Sequence, residues 1–216
     1  MLKQCAWVFA GGDFHIDDPG MACVTPDIVI GVDRGIEHCL SVGIVPDVLI
    51  GDFDSVDGSV LHDSRLSHSE TIRHPARKSS SDLELALRWL VNTDIERVVL
   101  LGISGGRSDH HLFNWMLPMQ QAWPFSIELI DKSGYAYKVN AKYPLNISAR
   151  PGQTISLIPM PDASGVTTSG LEYALQDATL TTGSTLGLSN VAVAEIIRVS
   201  VSAGQLLAFH VKIEAI

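Results

Sequence analysis

Through its first two-thirds the chain alternates short β-branched apolar runs with stretches of helical period, and after Asp131 that alternation stops. "CAWVF", "DIVIGVD", "DVLIGDFD", "RVVLLGIS" and "SIELID" read as strands. Between them, "RGIEHCLSVG" repeats apolar residues at Ile36, Cys39 and Leu40, with Gly43 placed to end a helix. "SDLELALRWLV" puts Leu83, Ala86, Leu87 and Leu90 on one face. Ser81 and Glu84 form a capping box there, and Glu84 and Arg88 make an i,i+4 pair. A further helix is expected from about Ser108, ended or kinked by Pro118. Continuous apolar strands alternating with helices imply a mostly parallel sheet with helices on both faces, a Rossmann-like α/β unit.

Beyond Asp131 the runs "YAYKVN", "YPLNIS", "TISLIPM", "ATLTTG", "NVAVAEIIRVSVSAG" and "QLLAFHVKI" are separated by Gly, Pro, Ser and Asn and lack a helical period. They predict a smaller antiparallel β-sandwich or barrel. The expected division is therefore 1–135 for the α/β domain and 136–216 for the β domain.

Composition narrows the classes. The net charge of −9 argues against a general nucleic-acid surface and would suit a cationic ligand. No apolar run approaches the roughly 18 residues of a membrane helix. The opening residues read as a first strand rather than a signal peptide. Cys5, Cys23 and Cys39 are odd in number and fit no metal spacing, which favours a reducing, cytoplasmic setting.

Polar residues recur at strand ends, where open parallel sheets bind ligands. Asp33 ends "IVIGVD", and Asp52 and Asp54 end "VLIGDFD". Asp82 opens the next helix, and "SGGRSDHH" follows "VVLLGI". In an extended chain Asp52 and Asp54 would point to one side, with α-carbons about 7 Å apart. With Asp82 they make a hard oxygen site suited to Mg²⁺. Singly, Asp54-Ser55 also reads as a turn and Asp82 as a complement to a helix dipole; the convergence of four segments favours the metal. Gly105 and Gly106 allow backbone N–H groups to approach a phosphate, and Arg107 offers a planar fork for its oxygens. Asp109 is placed to fix Arg107 or reach the metal. Gly11 and Gly12 are a fainter version of the same turn. Lys78, near Asp82, reads as a phosphate contact or a solvated charge. His110 and His111 make no zinc pair and read as helix-start or supporting residues, and no P-loop or nucleophile elbow occurs.

"VDRG", "PDVLIGDFDS", "KSSSDLELAL" and "GGRSDHHLFN" resemble, in order and spacing, the motifs of thiamine pyrophosphokinases. "SGLEYAL" and "LGLSN" resemble that family's thiamine-binding region. The resemblance runs from about residue 30 to the end. It implies Mg²⁺-dependent transfer of pyrophosphate from ATP to the hydroxyl of thiamine, leaving AMP, in a homodimer with thiamine between subunits. It assigns metal binding to Asp52, Asp54 and Asp82, and catalytic work to these with Arg107 and Asp109. ATP contacts fall to Asp33, Arg34, Gly35, Lys78, Gly105, Gly106 and Arg107. Thiamine contacts fall to Asp54, Ser55, Asp82, Ser189 and Asn190. Ser79 and Ser81 stand where the family carries an acidic residue and a threonine, and Arg34 where it carries glycine. Transfer to another hydroxymethyl heterocycle, such as a pterin, and non-catalytic binding of thiamine or nucleotide are the competing readings.

Overall fold

The computed structural model describes residues 4–14 and 25–212, and Cys23 lies outside them. The chain is mixed α and β and divides into two compact units, 1–118 with 122–132, and 119–121 with 133–216.

In the first unit six strands run parallel: β1 (Cys5–Phe9), β2 (Ile28–Val32), β3 (Val48–Gly51), β4 (Glu70–Arg73), β5 (Arg97–Leu101) and β6 (Ser126–Asp131). Their order is β4-β3-β2-β1-β5-β6. The chain steps outward from β1 to β4 and then returns to the other side of β1. The β1/β5 junction is thus the switch point, where diverging connections leave a crevice beyond the strand ends. Helix α1 (Gly35–Ser41) packs on β1 and β2, and α2 (Asp82–Leu90) on β2 and β3. Helix α3 (Ser108–Met116) follows β5, and a short 3-10 turn at Leu117–Met119 carries Pro118. Val8, Phe9, Ile30, Leu100 and Leu101 are fully buried, which explains why the central strands are apolar without interruption.

Two starting points of α1 and α2 depend on single residues. Gly35 is buried against β1: a Cβ there would stand 1.9 Å from the Phe9 carbonyl, so only glycine allows this approach. The Ser81 hydroxyl accepts the Glu84 N–H at 3.2 Å, and Arg88 lies 2.7 Å from the buried Glu84 carboxylate. Serine therefore fulfils the capping role at this position.

The second unit is antiparallel. Strands β7 (Gly134–Asn140), β8 (Leu145–Ser148), β9 (Thr154–Ser169), β12 (Ile196–Ser200) and β13 (Ala203–Val211) take the order β7-β13-β9-β12-β8. The short β10 (Ala178–Leu180) and β11 (Asn190–Val191) add to β9. One apolar cluster gathers Val139, Leu145, Ile155, Leu157, Val166, Leu180, Ile197, Val199 and Leu206. The run "TISLIPM" does not end at its prolines. It continues as a 16-residue strand, pairing with β13 through Ser164 and with β12 from Thr167. Gly165, left-handed at φ 64°, lies between those two pairings.

Candidate active site

A cavity of about 650 Å³ opens beyond the carboxyl ends of β1, β2, β3 and β5, bordered by the starts of α2 and α3. Asp33, Arg34, Asp52, Asp54, Ser55, Asp82, Gly105, Gly106 and Arg107 line it, together with Gly11, Gly12, His110 and Asn114. Gly35, Lys78 and Asp109 do not. Gly35 lies against β1, Lys78 reaches Asp52 and Asp82 by ion pairs, and Asp109 holds Arg107. Ser189 and Asn190 belong to the second unit.

The two aspartates of "GDFDS" share a turn rather than the side of a strand. β3 stops at Gly51, and Phe53 is left-handed at φ 62°. The expectation of an extended chain is corrected accordingly. A bulky residue in that conformation costs of order 1–3 kcal/mol and persists only where its surroundings enforce it. Here they do. Phe53 is 5% exposed, its N–H donates to Asp33 Oδ1 at 3.2 Å, and the Arg73 guanidinium lies 4.9 Å above its ring. Arg73 also donates to the Asp52 carbonyl at 2.8 Å. The Asp54 N–H donates to Asp52 Oδ1 at 3.0 Å, so both carboxylates project from one tight turn.

Negative charge is crowded in this cavity. The Asp54 N–H is the main influence holding Asp52 below the usual carboxylate range, and the Asp52 carboxylate pushes Asp54 up. Burial, reinforced by the nearby Asp82, pushes Asp33 up to about 6, against the opposing pull of the Phe53 N–H. Lys78 Nζ lies 2.8 Å from Asp82 Oδ1 and 3.8 Å from Asp52 Oδ2. The Lys78 ammonium is thus the charge partner of Asp82 Oδ1, an oxygen shielded from solvent.

Among the described residues no three His, Cys, Asp or Glu side chains form a metal cage by themselves. A magnesium ion does not require one. It keeps water and takes one or two carboxylates plus substrate phosphates. Asp82, which already draws the Lys78 ammonium to 2.8 Å, and the mutually repelling Asp52 and Asp54 fit that partial donor set.

The lining also includes Arg107 and the Gly105-Gly106 turn. Arg107 grips Asp109 through Nη2–Oδ2 at 2.7 Å and Nε–Oδ1 at 3.2 Å, and both side chains are largely exposed. That contact holds Asp109 down to about 2. Gly105 and Gly106 are left-handed at φ 80° and 66°. The turns after β1 and β5 cross closely: a Cβ on Gly12 would meet the Ser104 carbonyl at 2.2 Å, and the Asp13 N–H donates to that carbonyl at 2.6 Å. His38 makes a 2.8 Å contact through Nε2 to the Gly12 carbonyl. Asn114 donates to the Ile103 carbonyl at 3.0 Å, and Ser104 to Asp131 at 2.9 Å.

Sequence reasoning missed Arg73, His38 and Asp13. None of them belongs to a recognisable motif, and their roles arise from contacts between segments distant in the chain. In the second unit, Asn190 is 5% exposed and its amide is committed to the backbone. It accepts the Tyr173 N–H at 3.0 Å and donates to the Tyr173 carbonyl at 2.8 Å. Ser189 is exposed and left-handed at φ 56°, its N–H held by Ser156 Oγ at 2.9 Å.

A parallel α/β unit with a carboxylate wall, a glycine turn and a helix N-terminus around its switch-point crevice has the build of a protein that handles phosphorylated nucleotides. Comparison with known proteins narrows this. Residues 23–127 match the model "Thiamin pyrophosphokinase, catalytic domain", and residues 142–206 match "Thiamin pyrophosphokinase, vitamin B1 binding domain". The chain is 33% identical over 164 residues to the thiamine pyrophosphokinase of Bacillus subtilis, covering 74% of this chain and 76% of that one. A crystal structure of thiamine pyrophosphokinase from Bacillus subtilis superposes with a TM-score of 0.82 at 28% identity, over 97% of this chain and 99% of the other. One from Geobacillus thermodenitrificans gives 0.79 at 25% identity, over 98% and 99%. The chain belongs to the thiamin pyrophosphokinase family. No helix among the described residues is long and apolar enough to cross a membrane.

Proposed function

We propose that this chain transfers the pyrophosphoryl group of ATP to the hydroxyl of thiamine, giving thiamine diphosphate and AMP. The observation that carries the site assignment is the convergence of Asp52, Asp54, Asp82, Gly106 and Arg107 on one cavity at the switch point of a sheet whose chain belongs to this family. The thiamine hydroxyl oxygen forms a bond to the β-phosphorus. The bond from that phosphorus to the oxygen bridging the α-phosphate breaks, and AMP leaves with the bridging oxygen. The hydroxyl proton passes to a carboxylate of the cavity, Asp54 or Asp82, or to water.

Such a transfer needs alignment and charge neutralisation more than covalent help. Mg²⁺ held by Asp52, Asp54 and Asp82 with phosphate oxygens would supply charge neutralisation at the transferring group. Arg107 leaves Asp109 for the phosphates at small cost, because an exposed pair is worth only about 0–1 kcal/mol. Lys78 neutralises Asp52 and Asp82 and lies within reach of the same phosphates. Asp33 and Arg34 border the nucleotide, and Gly35 sets where α1 begins. Asp54, Ser55 and Asp82 face thiamine. Ser189 is the thiamine contact that the second unit carries, while Asn190 shapes its loop. We read the two units as a Rossmann-like nucleotide domain and a β-sandwich, and the working form as a homodimer with thiamine bound between subunits.

A quenched reaction of purified protein with thiamine, ATP and Mg²⁺, resolved by chromatography, tests this. Thiamine diphosphate with equal AMP is expected. ADP with thiamine monophosphate would overturn the pyrophosphoryl step. Turnover only with a hydroxymethyl pterin would move the activity to another heterocycle, and thiamine binding without any AMP would make the chain a binder.

A further inference from the structure

We infer that His111 is a positioning residue for the glycine turn that receives the nucleotide phosphates, which rests on the ATP reading above. The turn after β5 passes through Gly102, Gly105 and Gly106, all left-handed at φ 64°, 80° and 66°. Glycine reaches many other conformations at little cost, so such a turn keeps one shape only if its neighbours hold it. On one side the Asp13 carboxylate fills the place a Gly105 Cβ would take, 2.2 Å from that position. On the other, Nδ1 of His111 accepts the Gly105 N–H at 2.9 Å.

The imidazole can do this because it reaches back from the first turn of α3, where the His111 N–H donates to the Arg107 carbonyl at 2.9 Å. Asn114, three residues on and hence on the same helix face, donates to the Ile103 carbonyl at 3.0 Å. One face of α3 therefore grips the strand end by a carbonyl and the glycine turn by an N–H. The buried Trp115, its ring centroid 6.5 Å from that of His111, lies beside the ring.

The contact changes the part Gly105 plays. Its N–H is already used by His111, so it is not a phosphate donor, and its contribution is the shape of the turn. The donors left for an anion are the Gly106 N–H and the amides at the start of α3, whose N-cap Arg107 makes no side-chain cap. Acceptance at Nδ1 places the ring proton on Nε2. Without His111, the Gly105 N–H must find water or turn into the cavity, and the Gly106 amide turns with it.

Asparagine places a carbonyl oxygen where Nδ1 stands; glutamine places one where Nε2 stands; leucine supplies none. His111→Leu and His111→Gln should raise KM for ATP about tenfold, the effect of leaving one partly buried N–H without its acceptor. Their kcat and thiamine KM should change far less. His111→Asn should stay within about twofold of the wild type, since it keeps the bond. Calorimetric titration with ATP, read beside Tm, gives the same ranking without turnover. Wild-type ATP affinity in the leucine variant, or an asparagine variant as weak as leucine at unchanged Tm, would overturn the inference. If leucine fails to fold, equal affinities for the asparagine and glutamine variants overturn it as well. A wild-type protein that neither binds nor consumes ATP would sink the nucleotide reading itself.

Discussion

Replacing Gly51 by alanine tests how the carboxylate turn is held. An added Cβ would stand 1.8 Å from Asp33 Oδ1 and 2.7 Å from its Cγ, so the carboxylate must leave. β3 has little room to yield, being paired to β2 on one side and β4 on the other. As Asp33 swings out, the Phe53 N–H loses its acceptor. Stranding that donor costs about 1–3 kcal/mol and overpacking about 1–3 kcal/mol more, so a loss of roughly 2–6 kcal/mol is expected. Alanine at φ +153° adds backbone strain that does not depend on Asp33. A double-mutant cycle separates the two contributions. Urea unfolding of the wild type, Gly51→Ala, Asp33→Gly and the double variant should show Gly51→Ala costing at least about 1 kcal/mol less when Asp33 is glycine. An equal cost in both backgrounds would refute the claim that the Asp33 carboxylate occupies this space.

Asp82→Asn should reduce transfer at least about 100-fold with little change in Tm, because a neutral amide cannot stand in for a carboxylate near a cation and the phosphates; a variant with near wild-type turnover removes Asp82 from the site. Arg107→Ala should slow transfer by about 10²-fold or more, yet shift Tm by no more than about 2 °C, since its pair with Asp109 is exposed. A large loss of stability with kcat unchanged would contradict that. Lys138 is 4% exposed, and burial lowers its pKa to about 8, although its ammonium donates to the Gln121 carbonyl at 2.7 Å. Between pH 8 and 10.5 the unfolded chain binds more protons at this lysine than the folded one, so the group's contribution to stability rises with pH across that window. Stability of the wild type relative to Lys138→Met should therefore increase by of order 1–3 kcal/mol from pH 7.5 to 10.5, and a flat difference would place that ammonium in water.

Much of this protein follows from local pattern alone. Uninterrupted apolar runs at β1, β2, β3 and β5 read as buried strands because both their faces are covered, and Ser81, Glu84 and Arg88 mark the start of α2 by bonds that span only a turn. The strand ends carrying Asp33, Asp52, Asp54 and the Gly105-Gly106 turn were legible for the same reason: a parallel sheet delivers all its carboxyl ends to one edge. What lacked such a signal needed the folded chain. β4, "ETIR", is an edge strand whose side chains are mostly exposed, so it has no apolar face to read. β9 runs on through prolines because its successive segments pair with different partners, β13 and then β12, which no local pattern encodes. Spacing placed Asp52 and Asp54 two residues apart, but only tertiary contacts decided that they share a turn. Phe53 is held left-handed by Asp33, which follows β2, and by Arg73, which ends β4. His111 likewise appears in the sequence as half of a histidine pair, and its bond to Gly105 exists because the turn after β5 folds back over α3. Sequence determines which groups reach the sheet edge, since that depends on local hydrophobic period. Tertiary structure determines which atoms face one another there, since that depends on contacts made across long loops.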